Sequence, residues 1–220
     1  MQIDKLSPAE IEKRSFELIT DELTDMAKEG KIPPLESFCE YELNVIKRCI
    51  HTTADFDYAQ TMRFSEGAVD KFNELIRSGA SIVTDTNMAL AGINKRELSK
   101  YGCSVVCYMA DESVAREAAE RGVTRASVSM ERAMALSGDV IFVVGNAPTA
   151  LITLKEHYDA NDYTPAFVIG VPVGFVNVVA SKEMITKTDI PYIINSGRKG
   201  GSGVAAAIVN AMLYSLKDRV

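Results

Sequence analysis

Short apolar runs alternate with amphipathic helical segments from about residue 60 onward, and this alternation constrains the fold more than any other feature. The candidate strands are residues 61–64, 81–84, 104–108, 140–144, 166–169 and 192–194. Four of these runs are almost wholly apolar, as expected of strands that helices cover on both faces. Amphipathic stretches such as 65–77 and 112–121 lie between them, each soon followed by a glycine. The pattern predicts a three-layer, doubly wound α/β fold with a mostly parallel sheet.

A helical arm is predicted to precede this α/β body. Residues 7–10, Ser-Pro-Ala-Glu, are typical of a helix start, because Ser can cap the helix, Pro fits its first position and Glu closes a capping box. A second helix is predicted over residues 37–50, with His51 at or just past its end. Because no linker-like stretch separates the arm, residues 1–58, from the body, residues 59–220, we expect the whole chain to form a single domain.

The charge balance and the lack of long apolar runs exclude several classes of function. The 220 residues carry 24 Lys and Arg against 30 Asp and Glu, a net charge of −6, whereas a nucleic-acid surface needs a basic excess. No run approaches the roughly 18 apolar residues of a membrane span. The first residues do not resemble a signal peptide, and four cysteines are too few to staple a chain of this length. We therefore expect a cytoplasmic protein with reduced thiols that binds neither nucleic acid nor membrane.

The loops that follow the predicted strands are the expected ligand site, because doubly wound folds bind ligands beyond the carboxyl ends of their strands. In the loop at 195–203, Arg198 and Lys199 precede Gly200, Gly201 and a predicted helix. Glycines allow a ligand to come close, and the free N–H groups of a helix start can bind an anion. The alternative is a tight turn whose cations are merely solvated. The residue order differs from a Walker loop and G-x-G-x-x-G is absent, so we expect no dinucleotide cofactor.

His51 is the candidate acid–base residue. Arg48 lies three residues before it, so on a helix a fixed cation and a proton donor would share one face. The alternative is a helix-end histidine that the helix dipole stabilises. The only other histidine, His157, lies on a polar helical stretch and is expected at the surface. Zinc sites use tight Cys pairs, and the four cysteines are not spaced in that way, so we expect no metal site.

Several motifs, in the same order along nearly the whole chain, resemble one known family. They are Arg14-Ser15-Phe16, Arg48-Cys49-Ile50-His51-Thr52, Asp85-Thr86-Asn87-Met88, Gly145-Asn146-Ala147-Pro148-Thr149, Gly170-Val171-Pro172-Val173-Gly174 and Gly197-Arg198-Lys199-Gly200-Gly201-Ser202. With them the chain resembles the precorrin-8X methylmutases of cobalamin biosynthesis, called cobalt-precorrin-8 methylmutases in the anaerobic route. One departure is Arg125, which Ala126 follows where the family has Ser, so the role of Arg125 stays open.

The resemblance implies an isomerase that moves a methyl group from C-11 to C-12 of a corrin precursor, giving hydrogenobyrinate or cobyrinate without S-adenosylmethionine or a redox cofactor. It implies that His51 is the acid–base residue. It also implies a flavodoxin-like fold and a homodimer. The substrate is a polycarboxylate tetrapyrrole, and the expected substrate-binding residues are Ser15, Arg48, Thr86, Arg198 and Lys199.

Two other functions remain open from the sequence. The first is a tetrapyrrole carrier of the same fold, in which His51 only binds. The second is an unrelated enzyme that binds a phosphate ligand through residues 198–202.

Overall fold

A computed structural model describes residues 7–216. Its strands are β1 (Met62–Phe64), β2 (Ser81–Thr84), β3 (Ser104–Val106), β4 (Val140–Val144), β5 (Phe167–Gly170) and β6 (Tyr192–Asn195). Its α-helices are α1 (Pro8–Lys28), α2 (Glu40–Thr53), α3 (Tyr58–Thr61), α4 (Ala68–Arg77), α5 (Asn87–Gly92), α6 (Lys95–Leu98), α7 (Glu112–Arg121), α8 (Arg125–Met134), α9 (Pro148–Asp159), α10 (Val178–Thr186) and α11 (Ser202–Ser215). Two 3₁₀ turns, Leu35–Ser37 and Ser99–Tyr101, complete the described secondary structure. Among these helices, none combines the length and apolar character that crossing a bilayer requires.

The strands form one six-stranded sheet in the order β1-β6-β5-β4-β2-β3. Strands β2 to β6 are parallel to one another, and β1 pairs antiparallel with β6 at the edge. Counted from β2, the parallel strands follow the order 2-1-3-4-5, which is the flavodoxin-like order. The predicted α/β fold with a mostly parallel sheet is therefore confirmed.

Several element boundaries differ from the sequence-based prediction. Strand β3 ends at Val106, two residues earlier than expected, and β1 begins at Met62 because Thr61 still belongs to α3. The alternation of strands and helices gave no sign that β1 is antiparallel. Helix α2 begins at Glu40, not at residue 37, because the chain first makes a 3₁₀ turn. It then continues to Thr53, so His51 lies inside its last turn.

The predicted start of α1 has the expected capping geometry. The Ser7 side chain accepts a hydrogen bond from the Glu10 N–H, and the Ser7 N–H donates to the Glu10 carboxylate at 2.8 Å. This capping box satisfies backbone donors that a helix start otherwise leaves to water.

Helix α11 lies at the centre of the larger hydrophobic core. Helices α2 and α5 both pack on it. Helix α5 comes so close that a Cβ atom on Gly92 would lie 2.8 Å from the Cβ of Ala206. The same core contains Leu23 of α1, Ile46 of α2 and Ile141 of β4. The arm is thus packed into the core of the α/β body through α11.

The buried carboxylate of Asp85 closes the gap between the ends of β2 and β4. Its Oδ1 accepts the N–H of Gly145 at 2.8 Å, and its Oδ2 accepts those of Asn146 at 2.8 Å and Ala147 at 2.6 Å. Burial raises the pKa of Asp85, and the three N–H donors oppose that shift. Because β2 and β4 flank the point where the strand order reverses, Asp85 fills the crevice in which this fold commonly holds a ligand.

We expect the isosteric change Asp85→Asn to destabilise the protein. An amide group presents N–H donors to the backbone N–H groups of residues 145–147, so at least one buried donor loses its acceptor. The expected loss is about 1–3 kcal/mol, measured as a lower urea midpoint for unfolding. Asp189→Asn, at an exposed position, is the control and should leave the midpoint unchanged. Equal midpoints for the Asp85 variant and the native protein would contradict this account.

Candidate active site

His51 lies at the mouth of a cavity between the arm and helix α11. Helix α2 carries His51 in its last turn and Arg48 one turn earlier, on the same face. The cavity has a volume of about 350 Å³. It is lined by Arg48, His51, Thr52, Met88, Gly92, Gly203, Ala206, Ala207, Asn210 and Tyr214. The smallest lining residues, such as Gly92, Gly203 and Ala206, belong to α5 and α11. These two helices therefore form the floor of the cavity, opposite the imidazole.

The aromatic ring of Phe16 in α1 contacts both candidate functional residues of α2. It stacks on the His51 imidazole, with ring centroids 5.2 Å apart and an interplanar angle of 18°. The guanidinium carbon of Arg48 lies 4.5 Å from the Phe16 centroid and 5.6 Å from the Tyr214 centroid. Among residues 7–216, none hydrogen-bonds to the imidazole of His51. Its orientation therefore depends on stacking, and both ring nitrogens are available to a ligand.

Arg48 is held from the arm side by Glu12. Its Nη1 donates to Oε1 of Glu12 at 2.7 Å, and this bond with the guanidinium holds the pKa of Glu12 below its usual range. A guanidinium has five N–H donors, so one bond to Glu12 orients the group and leaves other donors for a ligand. A second cavity, of about 420 Å³, lies on the other side of Arg48 and also borders Phe16, Asn44 and Tyr214.

Thr86 connects the end of β2 to the start of α11. Its hydroxyl accepts the Ala89 N–H at 3.1 Å, which caps α5, and lies 2.7 Å from the Ser202 hydroxyl. Met88, in the first turn of α5, is 71% exposed and borders the His51 cavity. Thr86 thus holds α5 and α11 together beside the cavity, although its own side chain is not part of the lining.

Lys199 is neutralised by the segment that follows α2. Its Nζ lies 2.6 Å from Asp55 and 2.5 Å from Asp57, and the hydrogen bonds to these carboxylates raise the pKa of Lys199. The expected pair of cations in this loop is therefore reduced to Arg198. Arg198 is exposed, and its guanidinium carbon lies 5.4 Å from the centroid of the Phe175 ring.

Ser15 is not brought to the cavity. Its hydroxyl donates to the carbonyl of Ile11 one turn earlier in α1, at 2.8 Å, and neither of the two cavities beside Arg48 includes Ser15 in its lining.

Two residues of α11 that the sequence analysis missed take part in the site. Asn210 accepts the Asn94 N–H and donates to the Gly92 carbonyl, both at 2.8 Å, which fixes the end of α5. Its place as the single polar residue within a long apolar run was a usable signal. Tyr214 gave no such signal, because an aromatic residue late in an apolar helix is typical of core packing.

Comparisons with known proteins point to one family. The profile of the precorrin-8X methylmutase family matches residues 10–215. A cobalt-precorrin-8 methylmutase of Salmonella typhimurium is 43% identical over 213 residues, covering 96% of this chain and 97% of that protein. A precorrin-8X methylmutase of Pseudomonas aeruginosa is 40% identical over 168 residues, covering 75% of this chain and 80% of that protein.

A solved structure titled as a precorrin-8X methylmutase of Thermus thermophilus superposes with a TM-score of 0.82 at 36% identity, covering 96% of this chain and 97% of that one. The sequence matches and the shared fold both extend over almost the whole length of the chain. The chain belongs to the precorrin-8X methylmutase family, a family of isomerases.

Proposed function

We propose that this enzyme moves a methyl group from C-11 to C-12 of precorrin-8X or cobalt-precorrin-8, the substrates in the names of its relatives, to give hydrogenobyrinate or cobyrinate. The observation that carries the proposal is the exposed imidazole of His51 at a cavity mouth, three residues from a half-buried Arg48. Any cobalt in this reaction belongs to the substrate.

His51 acts as the acid–base residue in this proposal. Its imidazole donates a proton to the conjugated ring system, which makes the methyl-bearing carbon more able to rearrange. The methyl group then migrates within the same molecule, and the proton returns to the imidazole. No atom is gained or lost overall. Stacking on Phe16 holds the imidazole in one plane while leaving both nitrogens uncovered.

The cavities suit a large, flat polycarboxylate. Gly92, Gly203 and Ala206 leave space for a macrocycle above α5 and α11. Arg48 lies between the two cavities, so it can reach carboxylate arms on either side of the ring system. Arg198 supplies a second cation at the carboxyl edge of the sheet. The alternative of a phosphate ligand bound through residues 198–202 is weakened, because Lys199 is already paired with two carboxylates.

Incubation with precorrin-8X and, separately, with its cobalt form tests the reaction. Methyl migration changes the conjugation of the macrocycle, so we expect a change in the absorption spectrum without any added cofactor. Binding of the corrinoid without spectral conversion would instead indicate a carrier.

We expect His51→Ala to lower turnover by about 10²–10⁴-fold, the usual effect of losing a general acid, while the product still binds. His157→Ala removes the other histidine, which lies far along the chain on α9 and bonds Asp162, and is the matched control. Steady-state rates for both variants, with product affinity from calorimetry, make the comparison. Near-native turnover in the His51 variant would remove this residue from the mechanism.

Arg48→Ala and Arg198→Ala should each weaken binding of the corrinoid product. Each change removes a charge-assisted hydrogen bond worth about 1.5–3 kcal/mol, so the expected rise in Kd is about tenfold or more. Arg77→Ala is the control, because Arg77 is exposed at the end of α4, before β2 and away from the carboxyl edge of the sheet. Calorimetric affinities that are unchanged in both test variants would contradict the carboxylate pocket.

We also propose that the enzyme is a homodimer, as the family resemblance implies. Large apolar side chains at the surface support an interface with a second copy of the chain. The clearest are Phe175, which is 83% exposed, and its neighbour Val176. Light scattering should give twice the chain mass of 24.0 kDa. A mass near that of one chain would refute the dimer.

A further inference from the structure

Lys182 of α10 is a buried cation that the chemistry above does not use. Lys182 is only 1% exposed, and its Nζ donates to the carbonyls of Gly197 at 2.8 Å and Lys199 at 2.9 Å. No carboxylate in residues 7–216 forms an ion pair with it. Burial lowers the pKa of Lys182 to about 8. Burying an ammonium group is unfavourable, whereas a methionine of similar length would pack there without that desolvation cost.

The two bonds from Lys182 hold the segment that carries Arg198. The carbonyl of Arg198 itself accepts the Gly174 N–H at 3.1 Å, and the Lys199 carbonyl also accepts Nδ2 of Asn195 at 2.9 Å. Three successive carbonyl oxygens, at residues 197–199, are therefore directed to donors of the protein. These carbonyl oxygens are the negative ends of their peptide dipoles. Because each already accepts a hydrogen bond from the protein, they do not repel a carboxylate bound at this loop.

The glycines around Arg198 allow this backbone path. Gly197 has a φ of 78°, and Gly200 has a φ of 152° with so little space that an added Cβ would lie 2.0 Å from the Val171 carbonyl oxygen. Between these two points, Lys182 supplies the interactions that fix the carbonyls on either side of Arg198. The guanidinium of Arg198 then leaves the loop beside Phe175.

We propose that Lys182 is a positioning residue that acts through Arg198, so that the loop 196–201 presents the Arg198 cation on a fixed backbone, with the carbonyls of residues 197–199 turned away from a carboxylate arm of the substrate. This inference rests on the proposed function. It predicts an effect on substrate affinity rather than on the chemical step, because Lys182 lies behind the loop and contacts only its backbone.

The test compares Lys182→Met, Arg198→Ala and the double variant in the conversion of precorrin-8X. We expect each single change to raise KM by about tenfold with kcat within about twofold, the signature of lost uniform binding. The double variant should have the KM of Arg198→Ala alone, because two changes that remove one interaction are not additive. Lys187→Met, at an exposed position just after α10, is the matched control and should leave KM unchanged. Additive KM effects, or a fall in kcat at constant KM, would overturn the proposal.

Two further measurements keep the test decisive. If urea unfolding shows that Lys182→Met does not fold, Gly197→Ala replaces it in the test. The new Cβ meets no atom within 4 Å, so this change disturbs the same loop only by straining its backbone. Its KM effect should likewise vanish on the Arg198→Ala background, and additivity would again overturn the proposal.

Amide hydrogen exchange in the peptide covering residues 195–203 needs no substrate and separates this inference from the proposed function. We expect at least tenfold faster exchange in Lys182→Met than in the native protein, and unchanged exchange would overturn the positioning role. Absence of turnover by the native enzyme, with the exchange result as expected, would refute only the proposed function.

Discussion

The carboxylate of Asp85, bonded to three consecutive N–H groups, is the interaction on which the location of the site depends. It fills the crevice between β2 and β4 from within. Helix α11 closes what remains, because its first residue, Ser202, lies so near Gly145 that a Cβ there would be 2.8 Å from the Ser202 Cα. Groups of the protein itself thus occupy the position where this fold commonly holds a ligand. The available space lies instead to one side, where the arm meets α11.

The arm and the α/β body contribute different properties to that space. The arm supplies the groups with the proposed chemical roles, His51 and Arg48, and supports them with Phe16 and Glu12. The body supplies small residues as a floor and one cation from a loop. Because α2 packs directly on α11 in the hydrophobic core, a helix–helix contact determines the distance between His51 and the floor of the cavity. Such contacts deform little, which suits the proposed reaction, since that reaction needs a proton delivered to one position of a macrocycle.

Local signals in the sequence were sufficient to locate the six strands, although not every strand limit. The runs at β2 and β4 are apolar and bounded by polar turns, so their limits at 81–84 and 140–144 agree with the structure. Interactions between distant segments could not be predicted in this way. Lys199 is paired with Asp55 and Asp57, more than 140 residues earlier, and no local sequence pattern predicts that contact. The antiparallel pairing of β1 with β6 was hidden for the same reason.

The pairing of β1 with β6 and the packing of α2 on α11 join segments that lie far apart in the sequence. During synthesis, α2 and β1 are made long before their partners β6 and α11. The apolar faces of the arm therefore stay uncovered while the central strands are translated. Exposed apolar surface in this period favours association with other chains or with chaperones. Only when α11 is released does the cavity beside His51 acquire its floor. If the proposed site is correct, the ability to turn over substrate thus arrives only with α11, and a nascent chain that lacks this helix is inert however well its central strands have paired.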